Sequence, residues 1–191
     1  WSKLESAAEY CAYISSSAQL NGDHCGLILF DSSMKKYIKA APDPKNPRLF
    51  VDNILNCTNS ADIPDWEGIF RRFNSLVPSG NPIVFIISDF RGFPQGLRPL
   101  KLLQKRGDVM AVKLSHLRDI PAEINKKVDL FTTGAGYLDL RDAILEDKRQ
   151  SAVLEREFSI KRPSLLCSDT SLEPMDELRR FFLKRRNFFG R

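Results

Sequence analysis

Apolar residues recur at helical spacing near the start of the chain, at Leu4, Ala7, Ala8, Cys11, Ile14 and Ala18, and Asn21-Gly22 follows as a stop signal. The pattern predicts a helix over residues 2–20. Residues 25–30 (CGLILF) are apolar without alternation, as a strand covered on both faces requires, whereas 36–40 (KYIKA) alternate like an edge strand. Asp31-Ser32-Ser33-Met34 between them reads as a hairpin turn. Pro42, Pro44 and Pro47 break the chain before a helix expected over about 48–56, and a third helix is expected over about 64–76 with Pro64 in its first turn. Residues 83–87 (IVFII) are the strongest buried-strand signal, ending in Ser88-Asp89-Phe90 and a Gly/Pro-rich loop at 91–96. A helix over 97–105, a stop at Gly107 and a strand over 108–114 follow. Beyond them the pattern predicts a short strand at 128–132, a turn at 134–136 and a further segment at 137–140. A long helix over 142–160, a strand over 164–168 and a last helix over 173–186 complete the chain.

Strands alternating with helices of this length need crossover connections. The expected fold is therefore α/β: a three-layer, doubly wound, mostly parallel sheet with helices on both faces and one antiparallel edge strand. With 191 residues, one domain over 1–191 is expected. The apolar runs are strand-sized and fall well short of the roughly 20 residues that span a bilayer, so no membrane contact is expected of this segment. Trp1-Ser2-Lys3-Leu4-Glu5 already lies inside an amphipathic pattern and lacks the features of a signal peptide, which predicts a chain that starts within its domain and resides in the cytoplasm.

Composition changes this picture little. Apolar residues make up 42% and charged residues 28%, as in ordinary globular proteins. The formal charge of +5 is concentrated at one end: residues 176–191 hold six basic and two acidic side chains, leaving 23 basic against 22 acidic elsewhere. A near-neutral body argues against a nucleic-acid partner. Arg179, Arg180, Lys184, Arg185 and Arg186, interleaved with Phe181 and Phe182, could still touch anionic surfaces or nucleic acid, which is the alternative function. The plainer expectation docks Leu178, Phe181, Phe182 and Leu183 on the sheet and leaves the charges solvated. Cys11, Cys25, Cys57 and Cys167 are widely spaced, form no Cys-x-x-Cys pair and are expected to be buried free thiols in a reducing compartment.

Few motifs carry chemistry. Asp31-Ser32-Ser33-Met34 invites comparison with an Asp-x-Ser-x-Ser cation loop, but Lys35 stands where the last oxygen ligand belongs. Arg106-Gly107-Asp108 spells an adhesion tripeptide, yet Gly107 reads as a helix stop and Asp108 as the start of a strand. His24 and His116 belong to no recognisable constellation, and the nucleophile-elbow, phosphate-loop, dinucleotide and zinc-protease motifs are absent from the sequence. No catalytic residue, cofactor-binding residue or cofactor is expected, and the chain is expected not to be an enzyme. The candidate partner-binding residues are Ser88, Asp89, Phe90 and Arg91, at the carboxyl edge of the sheet where α/β proteins bind ligands.

Residues 22–30 (GDHCGLILF), 82–90 (PIVFIISDF), 107–114 (GDVMAVKL), 137–166 and the closing LRRFF with Arg185-Arg186 resemble, in that order, the bacterial family called domain of unknown function fifty-eight, a von Willebrand factor A-like group. The resemblance implies a protein-interaction domain, often encoded with MoxR-type AAA+ ATPases and concerned with complex assembly or chaperone-like maturation. In related domains a metal-ion-dependent adhesion site holds a divalent cation between an Asp-x-Ser-x-Ser loop after the first strand, a Thr on a second loop and an Asp on a third. Only the last maps here, onto Asp89. The first strand and its loop would precede Trp1, residues 59–64 offer Ser60 and Asp62 in place of the Thr, and SHLRD at 115–119 replaces an Asp-Pro-x-Glu segment. Magnesium or another divalent cation is therefore expected only if that loop is restored. The absent strand would lie between 25–30 and 83–87, so the expectation is direct pairing of those strands, a strand lent by another copy in a homo-oligomer, or a trimmed chain.

Overall fold

The computed structural model of the chain describes residues 2–43, 45–58, 62–77, 80–115, 140–159, 163–169 and 172–189. Helix α1 (Lys3–Leu20) starts with a capping box, in which the Ser2 hydroxyl accepts from the Glu5 amide and the Glu5 carboxylate accepts from the Ser2 amide. Strands β1 (Cys25–Phe30) and β2 (Met34–Ala41) pair antiparallel with Leu27 opposite Ile38. β2 begins two residues before the alternating segment because the turn is tight: the Asp31 amide donates to the Ser33 carbonyl while its carboxylate accepts from the Ser33 amide.

Helices α2 (Asn46–Leu55) and α3 (Trp66–Leu76) follow, the latter capped by the Asp65 carboxylate at the Gly68 amide. Strand β3 (Ile83–Ser88), helix α4 (Arg98–Arg106), strand β4 (Asp108–Ser115), helix α5 (Leu140–Phe158), strand β5 (Leu165–Asp169) and helix α6 (Pro174–Phe189) complete the order. β3, β4 and β5 form a parallel sheet with β4 central, Ile86 opposite Ala111 and Val112 opposite Leu166. The segments predicted at 128–132, 134–136 and 137–139, and His116, lie outside the described residues.

Strand alternation sends neighbouring side chains to opposite faces. Val84, Ile86, Val109, Ala111 and Leu165 meet Trp66, Phe70, Phe73, Leu100, Leu103 and Leu154 from α3, α4 and α5. Ile87, Val112, Leu114 and Leu166 meet Tyr10 and Ile14 of α1 and Leu178 of α6. The parallel sheet is therefore flanked by helices, with the small antiparallel pair beside it.

Two expectations are corrected here. Cys11, Cys25 and Cys57 are only partly buried and Cys167 is exposed: Cys11 and Cys167 sit one position along from the buried Tyr10 and Ser168, Cys25 starts a strand with no buried residue, and Cys57 lies past the end of α2. All four are free thiols, and burial pushes the Cys11 thiol up to about 12. On α6, Leu178 and Phe181 are buried, but Phe182 and Leu183 are exposed, and Arg185 is the buried cation. Arg185 lies seven residues from Leu178, on the same helix stripe, and donates to the Pro163 carbonyl (2.6 Å), the Ser164 hydroxyl (2.9 Å) and the Asp108 carboxylate (2.5 Å).

Candidate functional site: the carboxyl rim and the cleft below it

The rim begins where β3 ends. The Ser88 hydroxyl accepts from the Phe90 amide (3.0 Å), which turns the chain sharply, and Phe90 adopts φ 55°, a left-handed conformation that opposes a bulky side chain by about 1–2 kcal/mol. Packing over-determines it. The Phe90 ring stacks on Trp66 with centroids 5.5 Å apart and planes 6° from parallel, and the Gln150 amide of α5 donates to its carbonyl. The Trp66 indole N–H donates to the Arg91 carbonyl (3.0 Å), and the Gly96 amide donates to the Glu157 carboxylate (2.9 Å). The loop after β3 is thus fastened to α3 on one side and α5 on the other.

Of the four candidate partner-binding residues, Asp89 and Arg91 stand at this rim. The Asp89 side chain is 43% exposed and pairs with Lys3 at 3.6 Å, while the exposed Arg91 donates to the Asp62 carbonyl (3.0 Å). Ser88 is half-buried and committed to the turn. Phe90 is wholly buried, so it serves the core and presents no surface to a partner. The sequence carried only a weak signal for this: Phe90 lies two residues past the end of β3 and two before Gly92, in a turn that folds it back onto the sheet.

The rim also decides how well the residues suit a divalent cation. Asp31 and Asp62 line the same cleft as Asp89. Asp31 is already taken, since its carboxylate lies 3.1 Å from the Lys35 ammonium and accepts from the Ser33 amide and the Ser32 hydroxyl. Burial opposes its charge, but those three donors outweigh burial and hold its carboxyl below the usual carboxylate range. Asp89 faces Lys3. Among the described residues no group of three or more His, Cys, Asp or Glu side chains converges as metal ligands. Two lysines stand where oxygen ligands would be needed, so these residues do not fit a cation. Ser60 lies outside the described residues.

Below the rim a cleft of about 1610 Å³ runs between the two sheets. Leu27, Ile28 and Leu29 of β1 form one side and Ile83, Phe85 and Ile87 of β3 the other. Arg106-Gly107-Asp108, at the far end of the sheet, is structural: the Arg106 guanidinium binds the Asn74 and Val77 carbonyls, and Asp108 receives Arg185. Sequence reasoning missed Lys3, Trp66 and Gln150, which brace the rim from three separate elements and carry no local motif.

A parallel sheet flanked by helices, with a strand pair beside it, defines a mixed α/β protein. The chain belongs to the family described as Protein of unknown function DUF58, which matches residues 1–129. Among solved structures, a conserved hypothetical protein, BatB from Bacteroides thetaiotaomicron, is similar with a TM-score of 0.55 over 96% of this chain and 88% of that one. Sequence identity is 12%, so the likeness is one of fold alone. Comparison with curated proteins gives no match. Among the described residues no helix is long and apolar enough to cross a membrane.

Proposed function

We propose that the chain is a non-enzymatic interaction domain with a von Willebrand factor A-like, doubly wound architecture, which binds a protein partner at the rim carrying Asp89 and Arg91. The partner would be a MoxR-type AAA+ ATPase, served in complex assembly or chaperone-like maturation. The observation that carries this reading is the bracing of the loop after β3. Trp66, Gln150 and Glu157 fix its backbone from two sides, so the charges of Asp89 and Arg91 are held in place before any partner arrives. A preorganised pair of exposed charges suits recognition, because little ordering free energy is lost on binding. The Ser88 hydroxyl and the Asp31 carboxylate are occupied by turn contacts, which speaks for a binding surface over a reacting one.

The test is titration of the chain with a MoxR-type ATPase by calorimetry. Asp89→Lys is expected to weaken binding about tenfold, or about 1.4 kcal/mol, while leaving the melting temperature unchanged. Equal affinity for wild type and D89K, or no binding at micromolar concentration, would overturn the proposal.

A further inference from the structure

The outward side of α6 carries cations that nothing neutralises. Beyond Glu177 the helix has no acidic residue, yet it holds Arg179, Arg180, Lys184, Arg185 and Arg186. Arg185 is buried and spent on Asp108. The other four are exposed, and among the described residues none of them forms an ion pair. Exposed cations on other helices do find carboxylates, as Arg48 does at Asp52 and Arg71 at Glu67.

Apolar side chains stand among these charges. Arg179, Phe182, Leu183 and Arg186 are spaced i, i+3, i+4 and i+7, which puts them on one face of the helix. Leu178, Phe181 and Arg185 form the buried stripe, so Phe182 (43% exposed) and Leu183 (41%) are turned to solvent between cations. The contact of Arg185 with Asp108, the first residue of β4, sets the end of α6 at the amino edge of the parallel sheet. Leu20 opens at the same end. α1 starts with Lys3 beside Asp89 at the carboxyl end of β3 and runs the opposite way, so its last residue, 88% exposed, reaches the amino edge. A solvated helix end gains nothing from presenting Leu20, Phe182 and Leu183 to water.

We infer that this edge docks on an anionic lipid surface, with α6 lying in the plane of the interface. Arg179, Arg180, Lys184 and Arg186 meet the headgroup phosphates and carboxylates, and Leu20, Phe182 and Leu183 enter the boundary between headgroups and acyl chains. The mixture of chemistries selects the partner. A nucleic-acid backbone supplies anions but no apolar layer, and an acidic protein segment laid along α6 leaves Leu20, on a different helix, in water. A bilayer surface supplies both over a wide plane. Docking of this kind requires no helix that crosses the membrane. It also leaves the other end of the strands open: Asp89 and Arg91 stand at the carboxyl rim, where β3 ends, so a protein partner and a lipid surface engage the chain without competing.

The test is co-sedimentation of the 191-residue chain with vesicles of phosphatidylcholine carrying about one third phosphatidylserine, beside vesicles of phosphatidylcholine alone. Wild type is expected to bind only the anionic vesicles and to release them as salt rises. Arg179→Glu, Lys184→Glu and Arg186→Glu together are expected to weaken binding at least about a hundredfold, since each basic residue near such a surface contributes about fivefold. Leu20→Ser with Leu183→Ser is expected to weaken it about tenfold. All five side chains are exposed, so melting temperatures should not change. Absence of wild-type binding, equal binding to both kinds of vesicle, or a charge variant that binds like wild type overturns the inference. A Leu20→Ser, Leu183→Ser variant as tight as wild type makes the contact purely ionic, as with an acidic protein or a nucleic acid, and overturns docking on lipid. Should a variant fail to fold, Leu20→Trp gives a second readout at an exposed site. Its emission is expected to move to shorter wavelength on anionic vesicles, and an unchanged spectrum overturns the inference.

Discussion

Tyr10 ties three elements together. Its hydroxyl, wholly buried under α1, contacts the Ser168 hydroxyl of β5 at 2.8 Å and donates to the Glu177 carboxylate of α6, which also accepts from Ser168 (2.7 Å). Burial first, and then the neighbouring carboxylate, push the phenol well above its usual range. A folded-state value raised above the unfolded one means that Tyr10 adds stability below about pH 10 and loses that contribution as pH rises further, since only the unfolded chain readily releases the proton. Tyr10→Phe removes two partners from a buried carboxylate–hydroxyl network and is expected to lower unfolding free energy by about 1–3 kcal/mol. Denaturant melts at pH 8 check the magnitude. Repeated between pH 9 and pH 11, they should show a stability decline in wild type that is shallower in Y10F; parallel declines would place the alkaline sensitivity elsewhere.

At the scale of elements, hydrophobic period was legible wherever one environment surrounds a whole segment. The apolar run of residues 83–87 and the 3.6-residue rhythm of α1 state their own positions. What stayed hidden were side chains whose role depends on an element far away in sequence. Arg185 reads as one more solvated cation until Asp108, 77 residues away, is seen to receive it. Gly107 is a similar case. It ends α4 as its place suggested, but it does so extended at φ −161°, a conformation open to any residue. What calls for glycine there is close approach, because a Cβ would lie 2.3 Å from the Pro82 carbonyl oxygen, the acceptor for the Asp108 amide (2.9 Å). Gly107→Ala is therefore expected to part the amino ends of β3 and β4 and to cost about 1–3 kcal/mol, as overpacking against backbone does. Unfolding by urea measures it, and a neutral result would mean the strand ends give way at no cost.

For the whole molecule, the alternation of strands and helices announced a mixed α/β body, and the rim was legible because a buried strand followed by a Gly/Pro loop is a carboxyl edge wherever it occurs. The imbalance between the two faces of the sheet was not legible, since it depends on how many large side chains each helix layer turns inward. Among the described residues the face under α3, α4 and α5 gathers a cluster of aromatic rings, Trp66, Phe70, Phe73, Phe90, Phe93 and Phe158, in stacked and edge-to-face contact. The face under α1 and α6 has a thinner core, chiefly Tyr10, Val112, Leu114 and Leu178, and opens onto the cleft. Local opening free energy follows the apolar contact a layer would lose. The layer of α1 and α6 should therefore open as a unit before the rest, with amide exchange governed by a free energy below that of global unfolding and by a smaller urea dependence. α3, α4 and β4 should exchange only through global unfolding. Native-state hydrogen exchange across a urea series separates the two behaviours. A single merged isotherm for α1, α6 and α3 would show that the two layers are one cooperative unit, and that the Tyr10–Ser168–Glu177 network compensates for the thinner apolar core.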